Sequence, residues 1–198
     1  MRLKNKLLAI LSIVVLSSFT FMKKDHDKIT IVVDAGHGGT DPGSKGSAIL
    51  EKNYTLEIAQ KIKKLNQNPN IEIILTRDSD NFVELHKRSA MINDVNPTYF
   101  ISLHLNSSMD KNKNGYEVFH HPKNENAKEL AEKFVKTIQH PLKNNGVKVA
   151  NFHLLRETKV PGFLFEIGFI SNNEDEKYIT SEEGKDKIAK QILNFIQN

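Results

Sequence analysis

Four side chains in this 198-residue chain are of the types that hold a metal ion and move a proton. His37 sits in Asp34-Ala-Gly-His-Gly-Gly-Thr-Asp-Pro-Gly43, a glycine-rich loop at the end of a β-branched run. Glu51 closes that loop, His104 follows Tyr99-Phe-Ile-Ser-Leu103, and Glu166 lies inside the apolar stretch Pro161-Gly-Phe-Leu-Phe-Glu-Ile-Gly-Phe-Ile-Ser-Asn172. Two imidazoles and one carboxylate form the ligand set of a catalytic zinc site that keeps its fourth position open to water. An acid outside that set can take a proton from the attacking water and pass it to the leaving group. Glu166 fits this role, because an apolar setting makes ionisation costly and raises a carboxylate pKa towards the working range. A nearby cation opposes that rise. Each residue also has a purely structural reading. A histidine at a strand end is commonly a hydrogen-bonding core residue, a glutamate at a helix start answers the helix dipole, and a buried acid can pair with lysine or arginine.

The proposed ligands stand at positions 37, 51 and 104, so only the fold can bring them together. A β-branched strand at residues 28–34 leads into the glycine loop, and apolar spacing at Tyr54, Leu56, Ile58, Ile62 and Leu65 predicts a helix from Lys52 until Pro69 interrupts it. Strands follow at residues 71–75, 99–103 and 115–120, with a helix at 82–94 whose inner face carries Phe82, Leu85, Met91 and Ile92. A helix at 125–139 turns Leu130, Phe134, Val135 and Ile138 inward, a short strand falls within 147–155, and Phe163, Leu164 and Phe165 make a buried strand. Ile188, Ile192 and Ile196 mark a C-terminal helix. The alternation predicts one α/β domain with a central mixed, mostly parallel sheet and helices on both faces. His120, His121 and His140 read as edge or surface residues. Arg77 and Arg88 can pair with Asp78, Asp80 or Glu84; Arg77 and Asn106 are also candidate substrate contacts, and Asp34 is a candidate acceptor orienting a metal-bound histidine.

The opening of the chain is different. Arg2, Lys4 and Lys6 precede an apolar run from Leu7 to Met22, which reads as an export signal and short linker over residues 1–27, ahead of a domain at 28–198. The run is short for a membrane span, which needs about 20 residues, so cleavage between Phe19 and Asp27 is expected, with an uncleaved anchor as the alternative and the sole membrane contact. The chain has no cysteine, so a domain exported to the periplasm, cell wall or medium must be held by its core without disulfides. Its net charge is +4, and Arg2, Lys4 and Lys6 supply most of it. The remaining charges are interleaved, without the basic stripe and stacking aromatics of a nucleic-acid partner, and a monomer is expected. Gly38 to Lys45 has the outline of a phosphate loop, but Ser44 separates Gly43 from Lys45 and Asp41 would repel phosphate.

The chain resembles the zinc-dependent N-acetylmuramoyl-L-alanine amidases of the type-3 group from about Ile29 to its end. The resemblance rests on five blocks in the family's order: the loop from Asp34 to Gly43, Glu51-Lys-Asn-Tyr54, Leu75-Thr-Arg-Asp78 with Arg88, Ser102-Leu-His-Leu-Asn106, and Pro161 through Glu166-Ile-Gly-Phe-Ile-Ser-Asn172. It implies that His37, Glu51 and His104 bind one zinc ion and that Glu166 is the catalytic acid-base. It implies hydrolysis of the amide between the lactyl group of N-acetylmuramic acid and the L-alanine of the peptidoglycan stem. Some members carry a helix after the second histidine that plugs the site until an activator removes it. Only the short interval from Ser107 to Tyr116 is available here, so an open site is expected. The alternatives are a non-catalytic wall-binding domain and a zinc peptidase acting within the stem.

Overall fold

The β-branched run at Ile29–Ala35 forms strand β1, whose side chains alternate between two packed faces as the period of a strand requires. Ile31, Val33 and Ala35 enter one apolar cluster and Val32 the other. The computed structural model describes residues 28–198; the expected signal, its cleavage region and most of the linker lie outside them. Five more strands follow, β2 (Ile71–Leu75), β3 (Tyr99–Asn106), β4 (Tyr116–His120), β5 (Asn144–Val149) and β6 (Gly162–Phe169). They form one sheet in the order β2-β1-β3-β6-β4-β5. The first four neighbours are parallel, β4 runs antiparallel to β6, and β5 runs parallel to β4.

Helices cover both faces, as the alternating pattern predicts. Helices α1 (Glu51–Leu65), α3 (Glu125–Thr137), α5 (Asn173–Thr180) and α6 (Glu182–Gln197) pack on the larger cluster, where Ile58, Phe134 and Ile192 are fully buried. Among the described residues, only α2 (Leu85–Val95) and the short α4 (His153–Glu157) pack on the other face, through Ile92, Leu154 and Leu155. The lightly covered face leaves room for a groove at the C-terminal ends of the parallel strands, the usual ligand position in open α/β sheets.

Three local expectations change. Helix α2 begins at Leu85, and Phe82 and Leu85 are 52% and 57% exposed. The segment before α2 lies across the glycine loop, with the Asn81 carbonyl against Gly38 and the Phe82 amide against Gly39, which holds it out of the helix. The strand expected within 147–155 lies earlier, at Asn144–Val149, because it pairs with β4 from Tyr116 onward. Helix α5 precedes the expected C-terminal helix, and Ser181 separates the two by accepting the Gly184 amide as the cap of α6.

His120 is not a surface residue, and His140 is only partly exposed. His120 is buried, and the His140 ring packs against Tyr116, Phe165 and Tyr178 with centroids 4.9, 6.0 and 5.9 Å away. Its Nδ1 accepts the Leu142 amide, while Nε2 is buried without a hydrogen-bond partner. Burial lowers the His140 pKa to about 4. The unfolded chain takes up this proton below about pH 6.5 and the folded chain does not, so stability is lost as pH falls between those two values. Urea melts at pH 7 and pH 4.5 should show about 2–3 kcal/mol of this loss, and His140→Phe should remove it. An unchanged slope in the variant would assign the acid sensitivity elsewhere.

Candidate metal centre

The strand period sets which side chains reach the groove. Asp34 on β1, Ser102 and His104 on β3, Glu166 on β6 and Glu117 on β4 are offset by one from the buried apolar residues of their strands, so they point to the lightly covered face. The registers pair Asp34 with Ser102, His104 with Glu166, and Glu166 with Glu117. The apolar window around Glu166 is thus two environments, since Phe163, Phe165 and Ile167 face the larger core and Glu166 faces the groove. A one-residue slip would put the acid into the core.

His37 comes from the glycine loop and has a left-handed backbone, φ 61°. Two arginines hold it there. Arg88 donates to the Ala35 carbonyl at 2.7 Å, to the His37 carbonyl, to Val83 at 2.9 Å and to Asp34 Oδ1 at 2.7 Å. Arg77 donates to the carbonyls of Ala35, Gly36, Lys52 and Ser79 and to Thr55 Oγ1. Both guanidinium groups therefore belong to the frame of the loop. Arg77, a candidate substrate contact by sequence, is 4% exposed and spends its donors on the protein's own backbone. Burial would raise the Asp34 pKa, but Arg88, Ser102 and Thr76 together bring it below the usual carboxylate range. Among the described residues Asp34 binds no histidine; Ser102 Oγ and Thr76 Oγ1 donate to it, each at 2.6 Å.

The residue that orients His37 is Asp41, whose Oδ2 lies 2.8 Å from Nδ1. That contact fixes the tautomer and leaves Nε2 for the cluster. The pair stands four residues apart in the sequence, within the glycine-rich motif. Space beside those glycines is filled by the site itself. A Cβ on Gly43, where φ is +63°, would lie 2.6 Å from the His37 ring and 2.7 Å from Glu51 Oε2, and one on Gly36 would lie 2.5 Å from the His104 ring. Any side chain there would displace a candidate ligand.

Glu51 starts α1 and is the hub of the cluster. Its Oε1 lies 3.1 Å from His37 Nε2 and 2.9 Å from His104 Nδ1 and accepts the Leu105 amide, while Oε2 accepts the Ser44 amide. One donor atom from each of His37, Glu51 and His104 falls within 4.8 Å of the others. The electrostatics ask for a cation. Burial opposes a charged His37, yet its hydrogen bonds to Glu51 and Asp41 raise its pKa to about 9. Burial likewise opposes a charged His104, and Glu51 and Glu166 outweigh it to raise that pKa too. Two neutral imidazoles and a carboxylate around one point suit zinc, which supplies the positive charge that protons otherwise provide.

Glu166 faces this cluster without joining it. Its Oε2 is buried and has no hydrogen-bond partner among the described residues. Burial pushes its pKa up to about 7, with His104 pulling down and Glu51 and Glu117 pushing up. Such a group exchanges a proton near neutral pH. Asn106 lies on the groove's edge; its Nδ2 donates to Glu117 Oε2 at 2.9 Å and its Oδ1 accepts the Ser107 amide. Glu117, which sequence reasoning missed, had as its signal only its place in an alternating strand. The groove has a volume of about 850 Å³, and Phe82, Leu85 and Phe152 form its apolar rim.

Comparison with known proteins gives the family. The sequence profile of the family described as N-acetylmuramoyl-L-alanine amidase (Amidase_3) matches residues 31–198. The probable cell wall amidase LytH of Staphylococcus aureus is 36% identical over 169 residues, covering 83% of this chain and 54% of the relative. The chain thus spans about half the length of that relative. Among solved structures, the catalytic domain of CwlV, an N-acetylmuramoyl-L-alanine amidase from Bacillus (Paenibacillus) polymyxa var. colistinus, superposes with a TM-score of 0.81 at 34% identity, covering 85% of this chain and 96% of that one. An N-acetylmuramoyl-L-alanine amidase from Clostridium difficile 630 gives 0.82 at 30% identity, over 86% and 96%.

Proposed function

The chain belongs to the N-acetylmuramoyl-L-alanine amidase family, and from that premise we propose that it hydrolyses the amide joining the lactyl group of N-acetylmuramic acid to the L-alanine of the peptidoglycan stem. Its ligands for one zinc ion are His37, Glu51 and His104, and Glu166 is the acid-base. The observation that carries this reading is the convergence of three donor atoms within 4.8 Å of one another, facing a buried carboxylate oxygen that no group among the described residues satisfies. Zinc held there would supply Lewis-acid chemistry, stabilising negative charge on the scissile carbonyl oxygen and easing deprotonation of water. The chain's own residues do the rest. Asp41 holds the His37 imidazole through Nδ1, and Glu166 accepts a proton as water adds to the carbonyl carbon. Glu166 then returns the proton to the departing nitrogen as the carbon–nitrogen bond breaks. The products are a lactyl carboxylate on the glycan and a free L-alanine amino group on the stem.

Purified domain should therefore release new L-alanine amino termini from isolated peptidoglycan and leave glycan strands intact. New reducing sugars, or cleavage between stem residues, would reject the assignment. Activity should need no activator, because the connection from Ser107 to Gly115 is short and contributes only Ser107 to the groove lining. Zinc-loaded domain that is silent alone and turned on by a cell extract would overturn that point. The proposed setting is outside the cytoplasm, reached through the export signal of residues 1–27, with the protein acting as a monomer and without nucleic acid.

A further inference from the structure

A second groove of about 680 Å³ opens beside the first and shares Asn106 and Ser107 with it. The two differ in chemistry. The central groove is rimmed by Phe82, Leu85 and Phe152, which are 52%, 57% and 41% exposed. The second is lined by amides and charges between the connection that follows β3 and the start of β5, including Asn112, Asn145, Lys113, Lys143 and Lys148. Its walls are tied together: Asn145 Nδ2 donates to the Asn114 carbonyl at 2.6 Å, and the Tyr116 amide donates to the Lys143 carbonyl at 2.8 Å. Lys148 is committed to Glu117 Oε1 at 2.5 Å, and Glu117 in turn holds Asn106. Lys113 and Lys143 are exposed and have no carboxylate within 4.0 Å among the described residues. The one other acid in the lining is Asp110, so the open part of the groove carries an excess of positive charge.

We propose that this second groove is the subsite for the peptide stem, with Lys113 and Lys143 drawing in its free carboxylates, while the apolar rim of the central groove faces the sugar. The inference rests on the amidase reading. With the scissile amide at the metal centre, the two arms of the substrate leave it in different directions, and they differ as the grooves do. The glycan arm presents uncharged rings with apolar faces, whereas the stem presents amides and carboxylates that match asparagine and lysine. The lysines are solvated, so their attraction acts mainly on capture and weakens with salt.

The test uses two soluble muropeptides with the same sugar and peptide length, one with its stem carboxylates free and the other with them amidated. Wild-type enzyme should show the lower KM for the free acid at low salt. Lys113→Ala/Lys143→Ala should raise that KM about three- to tenfold with kcat held, should leave KM for the amidated substrate in place, and should lose its effect at high salt. Lys113→Arg/Lys143→Arg should restore the preference. A KM unchanged by the alanine pair, or raised equally for both substrates, overturns the subsite assignment while leaving the amidase reading intact. Failure of the wild-type enzyme to release L-alanine ends from either substrate overturns both.

Discussion

Glu166→Gln should leave a folded protein that binds zinc with wild-type stoichiometry and cleaves peptidoglycan slower by about a hundred- to ten-thousandfold, the span over which a positioned acid-base acts. Glutamine keeps the shape of the side chain and removes its capacity to carry a proton. The folded position tolerates that change, because Oε2 of Glu166 has no hydrogen-bond partner to lose. The candidate ligands should behave in the opposite way. His37→Ala removes a donor atom that lies 3.1 Å from Glu51 Oε1, so zinc content and turnover should fall together. Metal analysis of the purified variants beside their rates separates the two classes. Loss of zinc from Glu166→Gln would make this residue a ligand and leave the proton transfer without a carrier.

Arg88→Met should be among the most damaging changes outside the cluster, at about 3–5 kcal/mol in urea unfolding at pH 7, because it removes one partner of a buried ion pair. Arg88 and Asp34 have side chains 3% and 2% exposed, with Nη1 and Oδ1 2.7 Å apart. Without the guanidinium, Asp34 keeps only its hydroxyl donors from Thr76 and Ser102, and burial would then raise its pKa. The native pair lowers that pKa, so its contribution is present above the unfolded value near 3.9 and is lost as pH falls through the lower folded value. The penalty of Arg88→Met should accordingly shrink towards pH 4, where the stranded carboxyl takes up a proton. Asp34→Asn combined with Arg88→Met should cost less than Arg88→Met alone. If the double variant is the worse of the two, the arginine acts through its bonds to the carbonyls of Ala35 and His37 and not through charge. Zinc affinity should drop in either case, since those carbonyls fix the loop that presents His37.

The kind of chemistry was legible in residue types. Two histidines and a glutamate at strand and helix ends, with one acid in an otherwise apolar strand, marked the candidate site without any distance being known. Period and punctuation did the same for the elements: β-branched runs specified the strands and alternation with apolar helical spacing specified the α/β class, since these signals are local and survive without tertiary context. Helix α2 and strand β5 departed from their local patterns because contacts with Gly38, Gly39 and β4 overrode them.

What needed the tertiary structure was the company each group keeps. In sequence, Glu166 stands among phenylalanines; in the sheet, those rings face the larger core, and its neighbours are His104 and Glu117 from adjacent strands. Arg77 and Arg88 have acids close in sequence, yet they turn inward to carbonyls of the glycine loop and, for Arg88, to Asp34, 54 residues away. Asp34 precedes His37 by three residues, but strand geometry aims it at Arg88, and the glycine loop beyond brings Asp41 round to the imidazole. Residue type determines which reactions a side chain can take part in. Which partner it meets is decided by register and loop closure, because those place atoms from positions 37, 51 and 104 around a single point and set Glu166 facing it.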